Sequence, residues 1–337
     1  NKVETVKLKV DKSWVGVENN EAPEVRFNII DRGVGENATS DINLTNKTIV
    51  LNLANNFTQT IVDLPKYHID GTTLVDYGIN EVTDLAGYSF TYSKNVTAEG
   101  ISLVATNTRV NIPVKLKKIW ANDNVGYTRP ELTFEIFANA VADDSNNAVK
   151  VKEVQLNADN NFEISLDLPK YASNGTDEIH YYVQEVVPNG YKSDDGRKAL
   201  VFDRGDLKAE LTNKLILRDI LISQEWKDLE LYKNSVRGNV PNLHVEIYDI
   251  TDGIAGAKKV GVSKILVKDT DGLYKTKYEK LPKYKEDGVT EIKYMVKELE
   301  ENNLVGYKVN YKTPIVDNND NLVLNIENNP VKVEIKV

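Results

Sequence analysis

Three kinds of polar side chain recur at matching places along this chain, and together they could form a covalent cross-link. A lysine or a glutamine stands two residues before each of the three tryptophans, at Lys12, Lys118 and Gln224. Later in each copy, a glutamate ends a strand-like run and an asparagine lies in an apolar closing segment. The glutamates are Glu81, Glu185 and Glu298, and the asparagines are Asn107, Asn213 and Asn328.

The chemistry that these residue types allow is the formation of an isopeptide bond. Burial in an apolar core lowers the pKa of a lysine and raises that of a glutamate, so both side chains favour their neutral forms. A neutral amine is a nucleophile, and a protonated carboxyl can polarise the amide of an asparagine. Attack on that amide would release ammonia once per molecule, so the chain is not predicted to be a turnover enzyme. The competing interpretation is a buried ion pair beside a hydrogen-bonded asparagine.

The third copy departs from this pattern at the nucleophile. The amide of Gln224 has no nucleophilic nitrogen, so no bond is predicted there. Lys227 is no substitute, because strand alternation places it on the opposite face from Gln224. We expect Gln224 to hydrogen-bond with Glu298 and Asn328 instead, leaving a neutral and satisfied trio.

Strand-like alternation places the polar residues on apolar faces. In the first copy Leu8, Val10, Lys12 and Trp14 share one face of a strand. The glutamates and asparagines fall on apolar faces by the same test. Turns rich in Asn, Asp and Gly separate the strands, and no long helical periodicity occurs. The predicted fold class is all-β: three tandem Ig-like β-sandwich domains, each of about seven strands in two sheets.

The 337 residues are too many for one small core and fit three domains, predicted at 1–110, 111–216 and 217–337. Almost no linker separates the copies, and no Pro/Gly/Ser-rich spacer occurs between them. We therefore expect a stiff, elongated, monomeric rod. The third copy is longer than the first, and its extra length is predicted in a loop around 248–259.

Composition and charge argue against several classes of partner. A net charge of −9 offers no cationic surface for nucleic acid or for an anionic membrane. No apolar run is long enough to span a bilayer, and no signal-peptide pattern opens the chain. We expect a mature part of a larger protein. The absence of cysteine means that no disulfide can stabilise the domains.

Catalytic and metal-binding patterns are weak. The histidines occupy unrelated positions in the copies, at 68, 180 and 244, and no hydrolase or phosphate-binding motif occurs. Asp317, Asn319 and Asn321 alternate like calcium ligands but lack the glycine and the distal glutamate, so a hairpin turn is favoured. No cofactor and no metal are predicted.

Several motifs recur in the same order in all three copies. They are the K-x-W or Q-x-W opening, LPKY at 64–67, 168–171 and 281–284, the strands YGINE, YYVQE and YMVKE, and a following Gly-Tyr pair. In this order they resemble Cna protein B-type repeats, the stalk modules of Gram-positive surface adhesins and pilins. The resemblance implies a prealbumin-like, inverse Ig-type sandwich whose first and last strands are joined. By position it implies the bonds Lys12–Asn107, assisted by Glu81, and Lys118–Asn213, assisted by Glu185.

The same resemblance implies an extracellular location on the bacterial surface, with cell-wall anchoring through regions outside this chain. It implies a structural spacer whose partners are the other domains of the parent protein. The alternative function is a ligand-binding adhesin segment that contacts a host matrix protein or a glycan, most readily through the third domain.

Overall fold

The computed structural model describes residues 3–33, 40–45, 47–122, 127–227, 243–299 and 306–331. β-strands are the main regular structure of these residues, together with two short 3₁₀ helices at Leu53–Asn55 and Ile254–Gly256. The all-β prediction is confirmed. Hydrogen bonding divides the strands into three sets, and in the described ranges no sheet mixes strands from two sets.

We call these sets repeats 1, 2 and 3. Repeat 1 contains β1 (Thr5–Val15), β2 (Val25–Asp31), β3 (Thr48–Leu51), β4 (Thr58–Pro65), β5 (Tyr77–Glu81), β6 (Tyr88–Thr97) and β7 (Gly100–Arg109). Repeat 2 contains β8 (Asn111–Ala121), β9 (Leu132–Asn139), β10 (Val149–Leu156), β11 (Glu163–Pro169), β12 (His180–Val186), β13 (Tyr191–Ser193), β14 (Lys198–Ala199), β15 (Val201–Asp203) and β16 (Asp206–Leu215). Repeat 3 contains β17 (Leu217–Trp226), β18 (His244–Asp249), β19 (Lys258–Ile265), β20 (Val267–Lys268), β21 (Tyr274–Pro282), β22 (Tyr294–Glu298), β23 (Tyr307–Tyr311), β24 (Ile315–Val316) and β25 (Leu322–Pro330).

Each repeat is built from two sheets around its own apolar core. In repeat 1 the sheet β4-β1-β7-β6 accompanies the sheet β3-β2-β5. The corresponding pairs are β11-β8-β16-β13 with β10-β9-β12-β14 in repeat 2, and β20-β21-β17-β25-β23 with β19-β18-β22 in repeat 3. Three separate clusters of buried apolar side chains lie between them, one in each repeat.

The first and last strands of every repeat are parallel neighbours. β1 pairs with β7, β8 with β16, and β17 with β25, all in parallel. Because parallel neighbours need a long crossover connection, every other strand of the repeat lies between them in the chain. This pairing brings the two ends of each repeat's sequence into the middle of one sheet.

Two expectations about strand number and loop length need correction. Repeat 1 has seven strands, but repeats 2 and 3 each have nine in their described parts. The counterpart of β6 is broken around Gly196 in repeat 2 and by Pro314, which has no amide proton, in repeat 3. The loop around 248–259 does not account for the greater length of repeat 3. It runs only from the end of β18 at 249 to the start of β19 at 258, whereas the equivalent loop of repeat 1 runs from the end of β2 at 31 to the start of β3 at 48. The extra residues lie in the β19–β21 region and between β17 and β18, where 228–242 are outside the described residues.

Candidate cross-linking site

Strand register brings the polar residues of each repeat to one level of the sandwich. Each tryptophan of the opening motif lies directly opposite the closing asparagine, as Trp14 does opposite Asn107. The same pairs are Trp120 with Asn213 and Trp226 with Asn328. Lys12, Lys118 and Gln224 stand two residues earlier on the same face, so each is a diagonal neighbour of its asparagine. The predicted face is confirmed, since all three of these side chains are buried.

The glutamate comes from the other sheet. Glu81 pairs with Phe27, Glu185 with Phe134, and Glu298 with Val245, each at or one residue before the end of its strand. Its side chain reaches across the core to the asparagine. The trio of lysine or glutamine, glutamate and asparagine therefore joins two strands of one sheet to one strand of the other.

In repeat 1 the glutamate holds the asparagine but forms no direct ion pair with the lysine. The Nδ2 of Asn107 donates to Oε1 of Glu81 at 3.0 Å. The Nζ of Lys12 donates to the carbonyl of Ser13 at 3.2 Å and lies 4.2 Å from the ring centroid of Trp14. Burial lowers the pKa of Lys12 to about 7, against a smaller opposing effect of the Glu81 charge. Burial also raises the pKa of Glu81.

In repeat 2 the three side chains form one continuous hydrogen-bonded group. Lys118 donates to one carboxylate oxygen of Glu185, and the Nδ2 of Asn213 donates to the other. The side chains of Lys118 and Glu185 are 0% and 1% exposed. Burial lowers the pKa of Lys118, although its hydrogen bond to Glu185 acts in the opposite direction. Lys118 and Asn213 thus occupy both oxygens of one buried carboxylate.

In repeats 1 and 2 the carbonyl oxygen of the asparagine side chain makes no hydrogen bond. Oδ1 of Asn107 and Oδ1 of Asn213 are buried without a hydrogen-bond partner. A buried, unpaired acceptor costs about 1–3 kcal/mol. A protonated glutamate that donates to this oxygen removes the cost and withdraws electrons from the amide carbon. In the structure the glutamate accepts from Nδ2 instead, so this donation requires the amide to turn and present Oδ1 to the carboxyl.

Repeat 3 has the same frame without an amine. The Nε2 of Gln224 donates to Oε2 of Glu298 at 2.9 Å, and the Nδ2 of Asn328 approaches the same oxygen at 3.5 Å. Burial raises the pKa of Glu298, which favours the neutral acid. The expectation of a fully satisfied trio was wrong, because one oxygen on each of the three side chains is buried without a partner. Both amides point at one carboxyl oxygen and do not bond each other.

The remaining sequence candidates lie away from these trios. Lys227 is exposed as predicted and pairs with Glu225 at 2.6 Å. His68 pairs with Asp41, and this hydrogen bond raises the pKa of the histidine. Asp317 accepts bonds from Asn319 and Asn321, which confirms a hairpin turn. Among the described residues no cluster of three or more His, Cys, Asp or Glu side chains is arranged to hold a metal ion.

The recurring motifs pack against one another and fix the trios in place. The tryptophan of each opening motif contacts the tyrosine of the Gly-Tyr pair edge to face, with ring centroids 4.9–5.0 Å apart. The tyrosine that begins each YGINE-type strand donates its hydroxyl to the proline carbonyl of LPKY, as Tyr77 does to Pro65 at 2.8 Å. Tyr181 with Pro169 and Tyr294 with Pro282 repeat this bond.

One buried cation, Arg218, was not predicted from the sequence. Arg218 lies in β17 of repeat 3, with its side chain 2% exposed. It donates to Glu291 at 2.5 Å and to Asp320 at 3.0 Å. The corresponding residue of repeat 2 is Ile112, because each of the two lies opposite the leucine of its own LPKY motif. Aligning the first strands of the repeats would have shown this polar replacement on an apolar face.

Comparisons with known proteins place these observations in a family. No relative was found among curated protein sequences. Two solved B repeat units of the collagen binding protein Cna of Staphylococcus aureus are 22% identical, with a TM-score of 0.34, covering 97% of this chain and 75% of that one. The Bacillus anthracis TIE protein is 19% identical with a TM-score of 0.52, covering 96% of this chain and 50% of that one. The present chain therefore spans half the length of that structure, and the likeness concerns the fold.

The described residues contain no helix that is long and apolar enough to cross a membrane. The family model of the Cna protein B-type domain matches two adjacent segments, residues 114–213 and 220–328. These segments begin in the first strand and end in the last strand of repeats 2 and 3, at Asn213 and Asn328. Together they make up more than half of the sequence, and repeat 1 carries the same motifs in the same order. The chain belongs to the Cna protein B-type domain family.

Proposed function

We propose that this chain is a stalk segment of a Gram-positive surface adhesin or pilin-like protein. Repeats 1 and 2 are cross-linked internally by the bonds Lys12–Asn107 and Lys118–Asn213, whereas repeat 3 is not. The segment projects a binding region away from the cell wall, to which it is attached through other parts of the protein. Its domains correspond to 1–110, 111–216 and 217–337.

The observation that carries this proposal is the shared register of the first and last strands. In repeats 1 and 2 it sets a buried lysine diagonally next to a buried asparagine, and the opposite sheet supplies the glutamate. Three polar side chains in an apolar core are expensive to bury. A reaction that joins the amine to the amide replaces two of these polar groups with one neutral secondary amide.

The proposed step conserves atoms and charge. The neutral amine Nζ of the lysine attacks Cγ of the asparagine, forming a C–N bond. The glutamate accepts a proton from the attacking nitrogen and delivers it to Nδ2, whose bond to Cγ then breaks. Ammonia leaves, and the glutamate returns to its starting state. Fixed geometry replaces a bimolecular encounter, so proximity accounts for much of the rate.

The mechanical consequence follows from where the bonds lie. Each one joins the strand by which the chain enters a repeat to the strand by which it leaves, near the exit end of the two. Tension along the stalk would then pass through the covalent link and leave the other strands unloaded. Unlike a disulfide, such a bond resists reduction.

Intact-protein mass spectrometry tests the proposal directly. The purified chain should weigh less than its sequence mass by two ammonia molecules. Glu81→Ala and Glu185→Ala should each restore one of them, because each removes the proton relay of one repeat. Glu298→Ala is the matched control and should leave the deficit at two. A parent chain with its full sequence mass would contradict the proposal.

A further inference from the structure

The connections between consecutive repeats are unusually short and fully hydrogen-bonded. β7 ends at Arg109 and β8 begins at Asn111, so Val110 alone links repeats 1 and 2. Its amide donates to the carbonyl of Gly87 in repeat 1 at 2.8 Å, and its carbonyl accepts from the amide of Lys170 in repeat 2 at 2.9 Å. Ile216 alone links repeats 2 and 3. Its amide donates to the carbonyl of Gly190 at 2.9 Å, and its carbonyl accepts from the amide of Lys283 at 3.0 Å.

A contact between two glycines accompanies each connection. In the first junction the amide of Gly87 donates to the carbonyl of Gly175 at 2.8 Å. A methyl group on Gly87 would lie 2.8 Å from Cβ of Tyr171 and 2.9 Å from Cα of Gly175. In the second junction a methyl group on Gly190 would lie 2.8 Å from Cα of Gly288. Neither site has room for a side chain.

The glycines belong to two motifs that every repeat carries. Gly87, Gly190 and Gly306 open the Gly-Tyr pair, and Gly71, Gly175 and Gly288 stand four residues after the tyrosine of LPKY. Where two repeats meet, Gly87 and Gly175 are buried. Gly71 and Gly306, which face no neighbouring repeat among the described residues, are exposed, and a methyl group on either would contact nothing within 4 Å of it.

Side chains complete the junctions with one common acceptor. The guanidinium of Arg109 donates to the carbonyl of Tyr171 at 2.7 Å. In the second junction the hydroxyl of Tyr127 donates to the equivalent carbonyl, that of Tyr284, at 2.8 Å. Tyr88 adds a bond to the carbonyl of Ser173 at 2.8 Å. The two junctions thus use different donors for the same acceptor, the carbonyl oxygen of the tyrosine in LPKY.

We infer that the Gly-Tyr turn and the LPKY-x-x-x-G loop are the two halves of a module-to-module joint that holds consecutive repeats at a fixed angle. The partner of each turn is the LPKY loop of the next repeat. Independent motion is the usual behaviour of domains that share a small interface. Here the single linking residue has both backbone groups bonded, one to each side, so rotation about it breaks hydrogen bonds in both repeats. The joint does not depend on the isopeptide chemistry.

The chain's lack of cysteine makes the joint measurable by spin labelling. Val96 in repeat 1 and Val149 in repeat 2 are 65% and 69% exposed, and cysteines introduced there provide one label on each side of the first joint. Pulsed electron–electron double resonance should give a narrow distribution of distances between the two labels in the parent. In Gly87→Ala the distribution should broaden by about twofold or more, because the methyl group forces the two repeats apart. Gly87 has no positive φ, so the substitution adds no backbone strain of its own.

Gly175→Ala and Gly71→Ala form a matched pair that separates the joint from local strain. Their φ angles are +75° and +73°, so alanine is strained equally in both. Only Gly175→Ala should broaden the distribution. Intact mass reports whether each variant keeps the parent's cross-links, independently of the joint. A distribution that is already broad in the parent, or one that Gly87→Ala leaves narrow, would overturn the inference.

Discussion

Repeats 2 and 3 present the same buried frame with different chemistry. In both, the first strand runs parallel to the last with tryptophan opposite asparagine, and a glutamate reaches over from the other sheet. They differ at one position of the trio, where Lys118 is replaced by Gln224. The comparison teaches that the frame does not need the lysine in order to form. The proposed cross-link would therefore be added to a fold that forms without it.

Repeat 3 ties its first and last strands together in another place. Arg218, near the start of β17, pairs with Glu291 and with Asp320, which lies in the turn just before β25. Asp320 also pairs with Lys283 at 2.7 Å. These contacts lie at the opposite end of β17 from Gln224. Since they are ionic and their two carboxylates are half-exposed, they can break and re-form, which a covalent bond cannot do.

The largest difference between the two repeats is expected under load. In single-molecule pulling, the parent chain should extend through repeat 3 alone. Glu185→Ala should make repeat 2 extend as well and lower its stability by about 4–5 kcal/mol, the entropic value for releasing a closed loop of this length by analogy with a disulfide. Glu298→Ala serves as the control and should leave the number of extending repeats unchanged. If all three repeats of the parent extended, repeats 1 and 2 would not differ from repeat 3 under load, which would contradict the proposed cross-links.

Restoring the nucleophile should convert repeat 3 to the behaviour of repeat 2. Gln224→Lys places an amine beside Glu298 and diagonally next to Asn328, in the register found in repeat 2. We expect a third ammonia to be lost and the stability of repeat 3 to rise by about 4–5 kcal/mol, since the closed loop is of similar length to that of repeat 2. Intact mass measures the first and thermal unfolding the second. The double variant with Asn328→Ala should keep the mass deficit of the parent. An unreacted Gln224→Lys would show that strand register is insufficient for bond formation.

A smaller effect is expected in how the stability of repeat 3 depends on pH. The folded-state pKa of Glu298 is raised above 4.5 by burial, so the folded state binds the proton more tightly. This group therefore stabilises repeat 3 most below pH 4.5, and its contribution is lost as pH rises through the folded-state pKa. The slope is at most about 1.4 kcal/mol per pH unit.

Glu298→Gln should abolish this slope. At pH values above the folded-state pKa of Glu298, it should also make repeat 3 more stable than it is in the parent chain. Chemical denaturation at a series of pH values measures both effects. Glu225→Gln, on the outward face of β17 in the facing sheet, is the control and should keep the parent's profile. Identical profiles for the parent and Glu298→Gln would mean that the carboxyl titrates normally in the core.

The sequence by itself determined which side chains face the core and which repeat lacks a nucleophile. Strand alternation has a period of two, so Lys12, Lys118 and Gln224 could be assigned to the buried face from their apolar neighbours alone. Turn residues marked the hairpins, including the one at Asp317. The ordered recurrence of short motifs was enough to indicate the family.

Tertiary structure decided which strands are neighbours. Alternation says which face a residue occupies, but it carries no information about the partner strand or its register. The diagonal placement of Lys118 and Asn213, the origin of Glu185 in the opposite sheet, and the contact of Gly87 with Gly175 all join residues that are far apart in sequence. The ion pairs of Arg218 with Glu291 and Asp320 depend on the same long-range pairing. Such contacts follow from how whole strands pack together, and a local pattern cannot specify them.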